Sequence, residues 1–251
     1  MTAGLRHRAR RTTEQRLILA EQRQHTYCPN QEVAEQMKDV TIGALVGVTA
    51  AGKSHIIPHI TKLGGPDFSE VGNISSRDRR PSDPENFRGN QPVANLLDRI
   101  EDGEIVVYMI HPQTRDIYAG DASSYTTRFV IQPTISHIAE YWETHSPFKR
   151  FVPIGIALDG ATWDERLDDK RRTIQRMLEA QTCVAWLRAH SRRIPILENE
   201  TGKEELIAQA IVDILHDSAH PHPLDNLNRV DLLLLQLAAV ATRELRKLET
   251  V

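Results

Sequence analysis

The sequence predicts an α/β fold with a mainly parallel sheet. Short, apolar, β-branched runs alternate with segments of helical spacing along most of the chain, and a turn of small residues joins the first buried run directly to a helix. A third observation is that glycines and prolines mark several of the boundaries, as at Gly64, Gly65 and Pro66 and at Gly103.

Residues 40–48 read as a buried strand, and residues 53–63 follow as a helix that Gly64, Gly65 and Pro66 stop. Residues 77–89, with Pro81, Pro84 and many charges, read as an exposed loop. Val93, Leu96, Leu97 and Ile100 share one side of a helix over 92–100, and Gly103 leads into a strand at 105–110. Further strands are expected at 129–132, 152–158 and 194–197, with helices at 136–143 and 203–216, the latter turning Leu206, Ile207, Ile211 and Ile214 inward. A long, polar, arginine-rich helical stretch covers 162–191. The last helix, 231–248, is apolar over more than one face, so it packs on the domain or on a second copy of the chain as a homodimer contact.

Of the 251 residues, 40% are hydrophobic and 26% charged, enough for a real core. The expected organisation is a P-loop-sized domain over 39–218 with a basic N-terminal extension, 1–38, and a linker with a C-terminal helix, 219–251, bounded by Pro221, His222 and Pro223. The extension holds Arg6, Arg8, Arg10, Arg11 and Arg16 around a helical stretch, 13–24, with little apolar face; it reads as a solvated arm, with an RNA or partner contact as the alternative. A formal net charge of −3 argues against a protein built mainly to neutralise nucleic acid. Cys28 and Cys183 form neither a disulfide framework nor a zinc knuckle, which fits a reducing cytoplasm. The most apolar run, 230–241, contains Gln236 and falls short of the roughly 20 residues that span a bilayer, so no membrane partner is expected.

The chemistry lies at Gly47, Val48, Thr49, Ala50, Ala51, Gly52, Lys53 and Ser54, which fit the Walker A pattern between strand and helix. Glycines let the backbone wrap phosphate oxygens, whose charge is met by the amides from Ala50 to Ser54 and by the helix N-terminus. Lys53 brings a cation to the β and γ phosphates of ATP, and Ser54 offers its hydroxyl to Mg²⁺.

From Thr41 to about Leu215 the order of elements resembles the guanylate kinase family. Four stretches carry the resemblance: the P-loop; residues 74–81, with Ser75, Arg79, Arg80 and Pro81; Gly103, Glu104 and Ile105 followed by Ile117, Tyr118, Ala119 and Gly120; and the arginine-rich 165–178, with Glu198, Asn199 and Glu200 after the last strand. The resemblance implies a P-loop three-layer fold with a lid and an acceptor-binding region. It implies that Ser75 and Arg79 bind the acceptor phosphate, with Tyr118 in support. Arg166, Arg171 and Arg176 of the lid would neutralise charge during transfer from ATP to a nucleoside monophosphate or another small phosphorylated acceptor. A non-catalytic module that binds a nucleotide or a partner is the alternative.

Three positions depart from the family pattern. Its second phosphate-binding arginine falls at Ser82, with Arg80 near enough to substitute. The acid that reads the guanine edge falls near Val107, which accepts no hydrogen bond, and the acid after the third strand falls at Gln132, leaving Asp159 and Asp121 as candidate replacements. His216, His220 and His222 read as a linker rather than a metal cluster, residues 123–127 as a polar loop, and Trp142, Trp163 and Trp186 as packing residues.

Overall fold

The computed structural model describes residues 11–81, 83–111, 114–168, 171–217 and 227–250. In chain order the elements are α1 (Thr13–Arg23), α2 (Gln31–Met37), β1 (Thr41–Val46), α3 (Lys53–Gly64), β2 (Phe68–Glu70) and β3 (Ile74–Ser75). They continue with α4 (Val93–Glu101), β4 (Ile105–Ile110), β5 (Ile117–Asp121), β6 (Phe129–Thr134), α5 (Ser136–His145) and β7 (Arg150–Ala157). The last are α6 (Gly160–Arg166), α7 (Ile174–His190), β8 (Ile196–Glu198), α8 (Glu204–Leu215) and α9 (Leu227–Glu249). They form two compact units, one of the described residues up to Val40 with Val71–Thr126 and Thr144–Lys149, the other of Thr41–Glu70, Thr127–Glu143 and the described residues from Arg150 on.

The second unit is built on a five-stranded sheet in the order β2-β6-β1-β7-β8. Every pairing is parallel, with β1 in the centre aligned as Thr41↔Phe129 on one side and Thr41↔Arg150 on the other. All six residues of β1 are buried, as expected of a parallel strand covered on both faces. Ile56, Ile57 and Ile60 of α3, Met177 and Leu187 of α7, Ile211 and Ile214 of α8 and Leu234 and Leu237 of α9 share its core. This mainly parallel sheet with flanking helices is the predicted α/β architecture.

The first unit has its own sheet, β3-β5-β4, and here both pairings are antiparallel. Helices α1 and α4 cover it, with Leu17, Ala20, Leu96, Leu97 and Ile100 in one cluster with Ile74, Ile105, Tyr108 and Ile117. Periodicity missed β5, whose small residues Ala119, Gly120 and Asp121 dilute its apolar content.

Three expectations need correction. The segment read as a solvated arm is a core element from Thr13 onward: Leu17 and Ala20 are buried, Arg16 reaches Asp98 and Glu101 at 2.7 and 2.8 Å, and the Tyr27 hydroxyl donates to the Ile105 carbonyl at 2.6 Å. Its arginines 6, 8 and 10 lie outside the described residues. The stretch 162–191 is two helices, since the chain leaves α6 at Leu167 and α7 starts under a Thr173 cap, and it is not polar throughout, because Trp163, Val184 and Trp186 are buried. The last helix packs on the domain, one of its two expected settings, for Val230, Leu233, Leu237 and Val240 complete the core of the second unit; the linker 218–226 lies outside the described residues. Leu206 points outward and is 69% exposed, although Ile207, Ile211 and Ile214 are buried. No helix among the described residues is long and apolar enough to cross a membrane.

Because Leu17 sits in the core of the first unit, Leu17→Ala should lower stability by about 3 kcal/mol, read as the urea midpoint. A loss below about 0.5 kcal/mol would mark α1 as a surface arm after all.

Candidate functional site

The loop at residues 47–54 leaves β1 by passing so close to β7 that a Cβ on Gly47 would stand 2.5 Å from the Ile156 carbonyl oxygen. Only glycine fits there. Two left-handed residues then turn the chain into α3: Ala50 at φ 60° and Gly52 at φ 85°. The Ala51 amide donates to the Val48 carbonyl at 3.1 Å, so it closes the loop instead of facing a ligand as the sequence implied. The first-turn amides of Lys53 and Ser54 have no acceptor within their own helix, as for any helix start, and add the positive end of the helix dipole.

Two side chains from elsewhere in the second unit hold this loop. Trp163 donates its indole N–H to the Thr49 carbonyl at 2.8 Å. Asn199, at the end of β8, donates Nδ2 to the Ala51 carbonyl at 2.6 Å while its own amide bonds the Ala157 carbonyl, and its Oδ1 is buried with no partner. A Cβ on Gly52 would collide with that Asn199 amide and lie 3.2 Å from Nη1 of Arg166. The sequence marked Trp163 only as packing, and nothing in its spacing tied it to residue 49.

Lys53 folds back over the loop, donating Nζ to the Gly47 and Val48 carbonyls at 2.6 and 3.0 Å. Burial lowers its pKa, and the nearby Arg176 charge adds to that lowering. Beneath it the Cys183 thiol is pushed up to about 11 by burial. Ser54 is exposed at the start of α3.

The arginines of 166–176 differ in how far they are engaged. Arg166 bonds the Thr201 hydroxyl at 2.9 Å beside Gly52; Arg171 pairs with Asp168 at 3.2 Å and reaches the Arg166 carbonyl; Arg176 pairs with Glu179 at 2.8 Å. Arg172 is held by Asp164 and Glu244. Lys170 lies outside the described residues.

In the first unit the expected acceptor residues are arranged differently from the expectation. Ser75 is fully buried, its hydroxyl donating to the Ile117 carbonyl at 2.8 Å and accepting from the Arg77 amide. A hydroxyl committed this way is closed to a phosphate. Arg77, not Arg79, is the organised guanidinium: it donates to the Tyr118 hydroxyl at 3.0 Å, forks onto both Asp83 oxygens at 2.7 and 2.6 Å, and stacks 4.2 Å over Phe87. The sequence carried a signal for it, since Asp83 follows six residues later across a proline turn. Arg79 and Arg80 are exposed, with Arg79 reaching the Pro84 carbonyl at 3.3 Å. Ser82 lies outside the described residues.

Neither replacement acid is open. Asp159 caps α6, accepting from the Ala161 and Thr162 amides. Burial would raise the Asp121 carboxyl, but bonds from Arg88, Arg99 and Ser123 overrule it and hold the group well below the usual range. Val107 and Gln132 are buried. His216 packs against Phe68 and Phe129, His220 and His222 lie outside the described residues, and no metal-holding cluster of three His, Cys, Asp or Glu side chains occurs among the described residues.

No family model matches the chain, and no curated protein matches it in sequence. Among solved structures it is similar to a guanylate kinase from Anaplasma phagocytophilum, at 14% identity over 76% of this chain and 92% of that one, with a TM-score of 0.46. A likeness at that level assigns no activity. The chemistry of the loop stands on its own geometry.

Gly52→Ala should weaken binding of a fluorescent ATP analogue at least tenfold, because the added methyl meets Asn199 at a left-handed φ. Ala50→Gly should keep that affinity within twofold and shift stability by no more than about 1 kcal/mol, since relief of strain offsets the added chain entropy. Iodoacetamide at pH 8 should label exposed Cys28 and spare Cys183 until the protein unfolds, because the buried thiol forms thiolate only near pH 11; mass spectrometry of the two peptides reads this directly.

Proposed function

We propose that this chain binds ATP on residues 47–54 and transfers its terminal phosphoryl group to a nucleoside monophosphate or another small phosphorylated acceptor. The observation that supports the reading is Lys53: a desolvated ammonium resting on the Gly47 and Val48 carbonyls at the start of α3, in a loop fixed by Trp163 and Asn199. Exchanging two carbonyl dipoles for phosphate oxygens would give a full counter-charge to a half-buried cation. Phosphoryl transfer asks a protein for position and charge rather than for covalent chemistry.

Gly47, Thr49, Ala50, Gly52 and Ser54 line the donor phosphates in this reading, while Ala51 shapes the loop. Ser54, whose hydroxyl is exposed, would hold Mg²⁺, and few other protein ligands are required because this ion keeps water and phosphate oxygens. When bound, the ion would neutralise charge on the donor's terminal phosphates. Arg166, Arg171 and Arg176 supply the remaining positive charge in the second unit. The acceptor phosphate belongs to the arginine loop of the first unit, with Arg79 and Arg80 exposed for it and Arg77 and Tyr118 shaping the loop, while Ser75 contributes structure only.

A second reading, a nucleotide-binding module without transfer, is favoured by the closed Ser75 hydroxyl and by Gln132 in place of an acid. Coupled ADP release measured across nucleoside monophosphates and sugar phosphates separates the two. Turnover with at least one acceptor, lowered about 10²–10³-fold by Lys53→Ala, is expected. ATP binding that Lys53→Ala abolishes, with no turnover on any acceptor, would establish the module instead.

A further inference from the structure

The C-terminal helix ends in a charge cluster aimed at the segment between α6 and α7. Arg172 donates Nε to the Leu167 carbonyl at 3.1 Å and Nη2 to the Asp164 carbonyl at 2.8 Å, so its guanidinium clasps the end of α6, sharing the Asp164 carbonyl with the Leu167 amide. The same Nη2 meets Asp164 Oδ1 at 3.0 Å, and Nη1 meets Glu244 Oε2 at 2.7 Å. Arg243 joins both acids, with Nη2 on Asp164 Oδ2 at 2.7 Å and Nε on Glu244 Oε1 at 2.9 Å, and Lys247 adds a bond to Glu244 at 2.8 Å.

Glu244 is 4% exposed, among the most buried charged residues described. Adhesion does not require it, because α9 already buries Leu233, Leu234, Leu237, Val240 and Ala241. A buried carboxylate adds little net stability over an apolar residue of similar size, whereas it restricts the geometry of whatever pairs with it. What pairs with it here is Arg172, flanked by Arg166 at the end of α6 and by Arg171 and Arg176 at the approach to α7 and in its first turn.

Resting on the phosphoryl-transfer reading of the loop, we propose that Glu244 is a positioning residue: through Arg172 it fixes the end of α6 and so the disposition of Arg166, Arg171 and Arg176 toward the terminal phosphate of ATP. The helix α9 is then part of the transfer machinery without touching nucleotide. Its contribution is orientation, so it acts on the terminal phosphate and leaves the grip of the loop on the other phosphates unchanged.

The test uses the full chain with Glu244→Gln, Glu244→Asp and Arg172→Lys, measuring ADP and ATP affinity by fluorescent-analogue displacement and kcat and KM for ATP turnover. For Glu244→Gln the expected result is ADP affinity within twofold of the wild type, ATP affinity lowered at least fivefold relative to ADP, and kcat lowered at least tenfold. Glu244→Asp should recover most of both losses, and Arg172→Lys, which cannot fork onto two acids, should reproduce them. A folded Glu244→Gln protein with the wild-type ATP-to-ADP ratio and kcat overturns the proposal while leaving the loop reading intact. Wild-type protein that binds neither nucleotide overturns the loop reading, and the positioning role with it. If Glu244→Gln fails to fold, Arg172→Lys decides on the same two ratios.

Discussion

The close pass of Gly47 against the backbone of β7 is the constraint around which the second unit is arranged. With no side chain at that point, the loop lies directly on the sheet, and its next residues fall within reach of groups from α6 and β8. Trp163 then meets the Thr49 carbonyl and Asn199 the Ala51 carbonyl, so two elements distant in sequence fix one turn of backbone. A loop pinned in this way is held in one arrangement by bonds from two distant elements, so little freedom remains at that turn. The cost is an Asn199 oxygen buried without a partner and an alanine held at positive φ.

Charge in this molecule is used in two different ways. Around the loop the cations are only partly matched, with Lys53 resting on neutral carbonyls and Arg166 on a hydroxyl. Elsewhere acids and bases are matched closely, as at Asp121 with Arg88 and Arg99, at Asp83 with Arg77, and at Glu244 with its three cations. That contrast separates groups that shape the protein from groups left able to respond to an anion.

The parallel core and the loop were legible in the sequence because both follow from local rules. The residues of β1 are continuously apolar, and the glycines and lysine after it stand at fixed spacing. The role of α1 was not legible, since Leu17 and Ala20 are buried while Ile18 between them is 40% exposed, leaving a face too narrow for a periodic signal. The same limit hid the break at Leu167, where no glycine or proline marks the end of α6 and the stop depends on Arg172 and Thr173 beyond it. The setting of Ser75 was not legible for another reason. Sequence identifies a serine or an arginine, but whether Ser75 faces solvent or a neighbouring carbonyl is decided by the strand register Ser75↔Tyr118.

The interleaving of the two units along the chain has a consequence for assembly. The first partner of β1 in its sheet, β6, begins at Phe129, and most of the first unit, Val71–Thr126, is encoded between them. During synthesis the apolar strand that leads into the loop at residues 47–54 therefore emerges long before anything can pair with it. Within the first unit β4 and β5 are antiparallel neighbours in sequence, and their pairing closes a shorter loop. The fixed form of the loop at residues 47–54 is in this sense a late property of the nascent chain, acquired only after the segment from Phe129 to Asn199 has joined the sheet.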